Sequence, residues 1–173
     1  LSLLTSDKAA HSTVSHFSLS HFSPLSLSHS LFMVHLAQTP EDIAKCTRVL
    51  LELRPHLTPE KLVPMVMDMI KEGYQLAYVE ENGEAMSAIG FRYLQFLFCG
   101  KHFYIDDLVT LPEARGKGYG ALLLDYVTDL AKEAGYDVIT LDSGHHRHTA
   151  HRLYLNNGFT ISSHHFTKKV LGG

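Results

Sequence analysis

Cysteine is scarce in this chain of 173 residues: it occurs twice, at Cys46 and Cys99, far apart and in no CxxC pair. That excludes a disulfide framework and fits a reducing, cytoplasmic setting. Charge of one sign is not in excess: 15 Lys and Arg stand against 18 Asp and Glu, a net −3 with histidine neutral. Such a balance gives no electrostatic footing for nucleic acid or an anionic membrane as the main partner. No apolar run reaches the ~18 residues a spanning helix needs. The length suits one domain with a sizeable core.

The first 32 residues differ in composition from the rest of the chain. "HSTVSHFSLSHFSPLSLSHS" is built almost wholly from Ser, His, Leu and Phe, with Asp7 and Lys8 the only charges before it. It has neither the apolar core of a signal peptide nor the arginines of an organellar transit peptide, and shares only its serines with the latter. Residues 1–32 therefore read as a low-complexity extension, Met33 as a natural start, and 33–173 as the folded domain.

Local signals order the rest. "LFMVHLA" (31–37) reads as a strand. Thr39, Pro40 and Asp42 supply an oxygen cap, a first-turn proline and an acid for a helix running to about Arg54, where Pro55 stops it. Thr58-Pro59-Glu60 repeats the signal for a second helix ending at Gly73, with Pro64 expected to kink or delay it. Residues 74–81 and 84–96 read as a hairpin across Asn82-Gly83. Residues 102–111 read as the next strand. A long helix comes after it, with an apolar stripe of Tyr119, Leu122, Leu123, Tyr126, Val127, Leu130 and Ala134. Residues 136–142 form a strand, "RHTAHRLYLNNG" a short helix, and "FTISSHHFTKKV" one or two closing strands. The order β, α, α, β, β, β, α, β, α, β implies an α/β (α+β) domain: a mixed, mostly antiparallel sheet with helices on both faces.

"RGKGYG" (115–120) opens the long helix with three glycines, although each costs a helix about 1 kcal/mol relative to alanine. Bare backbone at a helix N-terminus lets an anion approach orphan N–H groups, so the loop reads as a phosphate cradle. Gly116-x-Gly118-x-x-Ala121 also fits a loose dinucleotide fingerprint, with Asp142 as ribose contact and a NAD(P)-dependent oxidoreductase as the consequence. Against it, Leu111-Pro112-Glu113-Ala114 separates strand from glycine, and too little chain remains after Asp142 for a doubly wound sheet.

Arg115, Gly118 and Gly120 meet the Arg/Gln-x-x-Gly-x-Gly/Ala signature of the GNAT superfamily of N-acetyltransferases. "AHRLYLNNGF" resembles that family's later helix at Ala150, Leu153, Tyr154, Gly158 and Phe159. The element order from about residue 31 onward agrees with the family. The tail also looks like bacterial small-amine members such as the aminoalkylphosphonate acetyltransferase. The resemblance implies an acyl-CoA N-acyltransferase fold and an enzyme moving the acetyl group of acetyl-CoA to a small-molecule amine. It implies that Arg115, Gly116, Lys117, Gly118, Tyr119, Gly120 and Ala121 hold the cosubstrate's pyrophosphate. Leu108, Val109 and Thr110 would pair with its pantetheine arm. Asp106 would serve as base or amine anchor and Tyr154 as general acid, with no metal. The family tends to form homodimers. A non-catalytic acyl-CoA-binding protein on the same fold remains a third reading.

One position departs from the pattern: Arg147 stands where many members have a cofactor-contacting asparagine. Strand alternation places Tyr104 and Asp106 on one face, and Ile105 and Asp107 on the other. Asp107 is expected to satisfy backbone or a cation. His145 and His146 come after the fifth strand and could supply an auxiliary base. His148 and His151 sit at i, i+3, but no cysteine completes a zinc set.

Overall fold

The computed structural model describes residues 34–170, so the expected extension lies outside the described residues. Five strands form one sheet in sequence order: β1 (Val34–Leu36), β2 (Tyr74–Glu81), β3 (Glu84–Phe96), β4 (Gly100–Thr110) and β5 (Val138–Leu141). The first four run antiparallel, and β5 runs parallel to β4. The sheet expected from sequence is thus mixed and mostly antiparallel. A doubly wound parallel sheet, which the oxidoreductase reading needs, is not what the chain builds.

Side-chain alternation divides the core into two layers. Leu76 and Tyr78 of β2 face α1 (Pro40–Lys45), α2 (Thr47–Leu53) and α3 (Pro59–Lys71), where Ile43, Val49, Leu50, Leu62 and Val66 are buried. Ala77 and Val79 face the other way, onto Leu123, Val127 and Leu130 of α4 (Tyr119–Glu133). The helix α5 (His148–Asn156) packs on that second side through Leu153 and Tyr154. Helices therefore cover both faces.

Local chemistry explains the element ends. Thr39 and Asp42 form a reciprocal capping box, with the Asp42 amide donating to Thr39 Oγ1 at 3.2 Å and the Thr39 amide to Asp42 Oδ2 at 3.1 Å. The first helix is not continuous as expected. At Cys46 the amide reaches back to Ile43 O, one residue short of the helical partner, and this tighter turn separates α1 from α2. Cys46 is buried there, and burial pushes its thiol up to about 12, which makes it chemically inert at neutral pH. Pro64 does not delay α3, which starts at Pro59 and runs through it. It lies on the exposed side, where water can serve the carbonyl that its ring leaves unpaired.

Two strand expectations fail. No strand forms in the described part of the closing segment, whose residues 160–170 are exposed and belong to neither helix nor sheet. Its apolar residues Ile161, Phe166 and Val170 find no strand to lie on. The second failure is the alternation along β4. Gly90 pairs with Asp107 and Phe91 with Ile105, so Asp106 is an extra residue in β4. This bulge brings Asp106 and Asp107 to the same side, toward Arg92 and Tyr74, instead of to opposite faces.

Gly90 makes the bulge fillable. A Cβ there would lie 1.9 Å from the Tyr74 hydroxyl oxygen, and that hydroxyl donates to Asp107 Oδ2 at 3.0 Å. Gly90→Ala is expected to destabilise the fold by about 1–3 kcal/mol, because buried Tyr74 cannot yield without losing Asp107. The check is the denaturant midpoint at unchanged slope. An unmoved midpoint would show that Tyr74 is not held in place.

Candidate active site

Beyond the bulge, β4 and β5 separate. Their pairing runs from His102–Val138 to Ile105–Leu141 and stops, so β4 from Asp106 to Thr110 has no strand along that edge. The opening is a cleft of about 260 Å³ lined by Arg54, Ile105 to Leu108, Leu141 to Gly144, His146, Arg147 and Tyr154. Three carboxylates face it, and each has partners. Asp106 takes Arg92 Nε on both oxygens at 3.1 Å. Asp107 accepts Arg54 at 2.6 Å and Tyr74 at 3.0 Å. Asp142 accepts the Tyr104 hydroxyl at 2.6 Å and sits 3.1 Å from His165 Nδ1.

Burial raises the Asp106 pKa above the usual carboxylate value, while Arg92 opposes that rise. Asp106 is therefore a half-buried carboxylate whose basicity is raised first by burial and then by Asp107, and lowered by Arg92 and Arg54. Tyr154 is half-buried on α5, with its ring 5.9 Å from Phe159 between centroids. Burial raises its hydroxyl pKa and Arg147 opposes this, so the phenol stays protonated at neutral pH. The hydroxyl has no hydrogen-bond partner among the described residues. A phenol of this kind can hand over a proton.

The glycine loop lies at the start of α4, apart from this cleft. Gly116 and Gly118 have φ of 81° and 86°, with open space where a side chain would stand. The first bond of the helix ladder is Leu122 N to Gly118 O, which leaves the amides of Tyr119, Gly120 and Ala121 ahead of it. Gly120 serves a different purpose: a Cβ there would lie 3.0 Å from Leu153 Cδ2, so its bareness lets α5 pack on α4. The side chains of the loop are committed elsewhere. Lys117 Nζ holds both oxygens of Glu81 at 3.0 Å, and the Tyr119 hydroxyl donates to the same carboxylate. The Lys117 amide points to Ala114 O at 3.4 Å. Arg115 braces the loop on Thr110 O and Glu52, at 3.3 Å each.

Of the residues singled out from sequence, Asp106, Leu108 and Tyr154 meet in the cleft. Val109 is turned into the α1–α3 core, and the Thr110 hydroxyl lies 2.8 Å from that of Ser87. Arg54, Arg92 and Tyr74 were missed: each lies on another element and carries no local pattern. His151 binds Gly144 O, and no group of three metal-ligating side chains converges among the described residues.

A mixed sheet that splits after its fourth strand, beside a glycine-opened helix, is the architecture of the acyl-CoA N-acyltransferase fold. The model of the Acetyltransferase (GNAT) family matches residues 41–159, and the chain belongs to that family. It is similar to the uncharacterized N-acetyltransferase YhdJ of Bacillus subtilis, 37% identical over 142 residues, 80% of this chain and 100% of that protein. It is also similar to the aminoalkylphosphonate N-acetyltransferase of Salmonella typhimurium, 35% identical over 99 residues, 56% of this chain and 62% of that protein. Among solved structures, a GNAT family acetyltransferase from Staphylococcus aureus shares the fold with a TM-score of 0.67 at 20% identity, covering 80% of this chain and 98% of that one. The chain is an acetyl-CoA-dependent acyltransferase. No helix among the described residues is long and apolar enough to cross a membrane.

Burial raises the Asp106 pKa and Arg92 holds that rise back. In Arg92→Gln the nearest opposing cation is gone, while burial and the neighbouring Asp107 still favour the neutral acid with only Arg54 against them, so Asp106 holds its proton to higher pH. Activity that needs the carboxylate then fails earlier on acidification, and the acidic limb of kcat/KM moves to higher pH. A limb that stays in place in a folded variant would show that Asp106 does not titrate in turnover.

Proposed function

We propose that this enzyme acetylates the primary amine of a small molecule by direct attack on acetyl-CoA. The observation that carries the reading is that one cleft holds a half-buried carboxylate, Asp106, and an unpartnered phenol, Tyr154, where β4 loses its strand neighbour. The small-molecule acceptor draws support from the Salmonella relative, an aminoalkylphosphonate N-acetyltransferase.

The residues fit the cosubstrate on two grounds. The open φ-positive glycines and the free amides of Tyr119, Gly120 and Ala121 suit a pyrophosphate, with Gly116 and Gly118 giving it close approach. The unpaired edge at Leu108, Val109 and Thr110 suits an extended arm that adds to a sheet. With Lys117 neutralised on Glu81, the attraction comes mainly from backbone dipoles; Arg115 keeps the loop in shape.

Acetyl-CoA supplies an activated acetyl group as a thioester. The chain's own residues manage the protons. An alkyl ammonium has a pKa of about 10, so at neutral pH the amine must shed a proton before it can attack. Asp106 anchors the ammonium and takes that proton, directly or through water. Tyr154 delivers a proton to the departing sulfur, a task suited to a phenol that remains protonated.

Gly118→Asp places bulk and negative charge in the cradle. It is expected to weaken acetyl-CoA binding more than tenfold, about 1.4 kcal/mol, by titration calorimetry. Unchanged affinity in a folded variant would remove the cradle. Tyr154→Phe keeps the ring and deletes only the proton. Its kcat is expected to fall by roughly 10²-fold or more at unaltered acetyl-CoA affinity. Activity within about threefold of wild type would leave Tyr154 as a packing residue.

A further inference from the structure

An acid stands beside the loop that suits a pyrophosphate. Glu81 ends β2, directly before the Asn82-Gly83 turn. Strand alternation sends Ala77 and Val79 toward α4, and Glu81 follows them. Glu80 turns the other way, to Lys45 of α1 at 2.8 Å. Glu81 therefore meets the loop that opens α4. Lys117 Nζ reaches both of its oxygens at 3.0 Å, and the Tyr119 hydroxyl donates to one of them. The Lys117 ammonium also lies 5.8 Å from the centre of the Tyr119 ring. Hydrogen bonds from Tyr119 and then Lys117 lower the Glu81 pKa below the usual carboxylate value, so it is ionised at neutral pH.

Bracing does not account for this acid. Arg115 already ties the loop to Thr110 O and to Glu52. Nearby, Glu84 and Glu113 share Arg48, so the neighbourhood is rich in carboxylates as well as cations. Negative charge in that position works against a guest that is itself an anion. Glu81 differs from the other three acids in what it holds. It takes the side chains on either side of Gly118, and the Tyr119 amide is one of the donors that the cradle presents.

We propose that Glu81 limits the affinity for the cosubstrate by competing with its pyrophosphate for Lys117, which changes from one anion to the other as acetyl-CoA binds and returns to Glu81 as CoA leaves. This rests on the cradle reading above and adds a control to that site. Both partners are partly exposed, so the change uncovers no buried charge. The ammonium sits on a flexible four-carbon stem and can turn between two anions while the backbone stays still. Its net gain is small, and the loop amides carry the affinity. The consequence falls on turnover. Acetyl-CoA and CoA carry the same pyrophosphate. A lysine that held it throughout would bind substrate and product alike, slowing the departure of CoA without lowering the barrier to transfer. Glu81 offsets that hold.

The test uses the full chain as wild type, Glu81→Gln, Lys117→Gln and the double variant. Titration calorimetry gives the Kd of acetyl-CoA and of CoA, and a chase with unlabelled CoA gives the release rate of radiolabelled CoA. Glu81→Gln keeps the size of the side chain and an acceptor for Tyr119, but cannot hold Lys117 as an ion. It should bind both ligands about threefold or more tightly and release CoA correspondingly more slowly, the scale of a partly exposed ion pair. On the Lys117→Gln background the same change should alter affinity by less than about twofold, because no lysine is left to free. The gain should shrink as salt rises from about 50 to about 300 mM. Unchanged or weaker binding by Glu81→Gln would make Glu81 a brace and overturn the proposal. Equal tightening on both backgrounds would reduce it to simple repulsion and overturn the exchange. If Glu81→Gln does not fold, Glu81→Ala is read by the same criteria, and failure of both to fold would also overturn the proposal. The cradle reading fails separately, through a wild type that binds neither ligand or a folded Gly118→Asp that binds them unchanged.

Discussion

The hydroxyl of Tyr74 donates to Asp107 at the point where β4 carries one residue more than β3. That bond holds the bulge. Tyr74 is almost wholly buried, and its ring fills the space that Gly90 leaves empty. Burial raises its pKa far above that of a free phenol, so it remains a donor, and the accepting carboxylate has Arg54 as a second partner. The bulge turns Asp106 and Asp107 to one side, and β5 is left behind just beyond it. The cleft thus begins with a mismatch in strand length, stabilised from the opposite layer of the molecule.

The cradle and the cleft are separate structures on separate elements, joined by the Arg115 bond to Thr110 O and by a close contact at Gly120. Gly120 at the head of α4 lets Leu153 approach, and Leu153 precedes Tyr154 on α5. The residue that gives the cradle a bare backbone also sets how near α5 comes to the sheet. The three glycines that look redundant in sequence divide their work: two adopt positive φ, and the third provides clearance. Only Gly120 lies inside α4 and carries a helix glycine's cost, since Gly118 is the cap and Gly116 precedes it; α4 is sustained by packing and buries Leu123, Leu124, Val127 and Leu130 further along.

What could be read in the sequence was local. The glycine run, the Thr39 capping box, the hairpin at Asn82-Gly83 and the helix carrying Tyr154 each declare themselves within a few residues. The bulge does not, because it is a relation between β3 and β4 and appears only once Gly90 is set against Asp107. For the same reason strand alternation assigned Asp107 to the wrong face, although a cation as its partner was the right chemistry. Arg54 and Arg92 reach the carboxylates from the end of α2 and from β3, with no pattern to announce them. The closing strand failed differently. "FTISSHHFTKKV" alternates well enough to look like a strand, but pairing requires an edge that meets it, and β5 receives none of it.

The bulge also governs which parts of this chain can change in length. A surface turn such as that at Leu97–Cys99 has no register to keep and can absorb an inserted or lost residue. In β4 the count is functional. Removing one residue between Phe103 and Asp106 would restore perfect pairing with β3 and yield a more regular sheet, yet it would rotate the remaining acids relative to Arg92, Arg54 and the cleft. The better-formed strand would be the inactive one. Drift in length along this hairpin is therefore confined to its tip, while the base must keep an irregularity that backbone hydrogen bonding alone would eliminate.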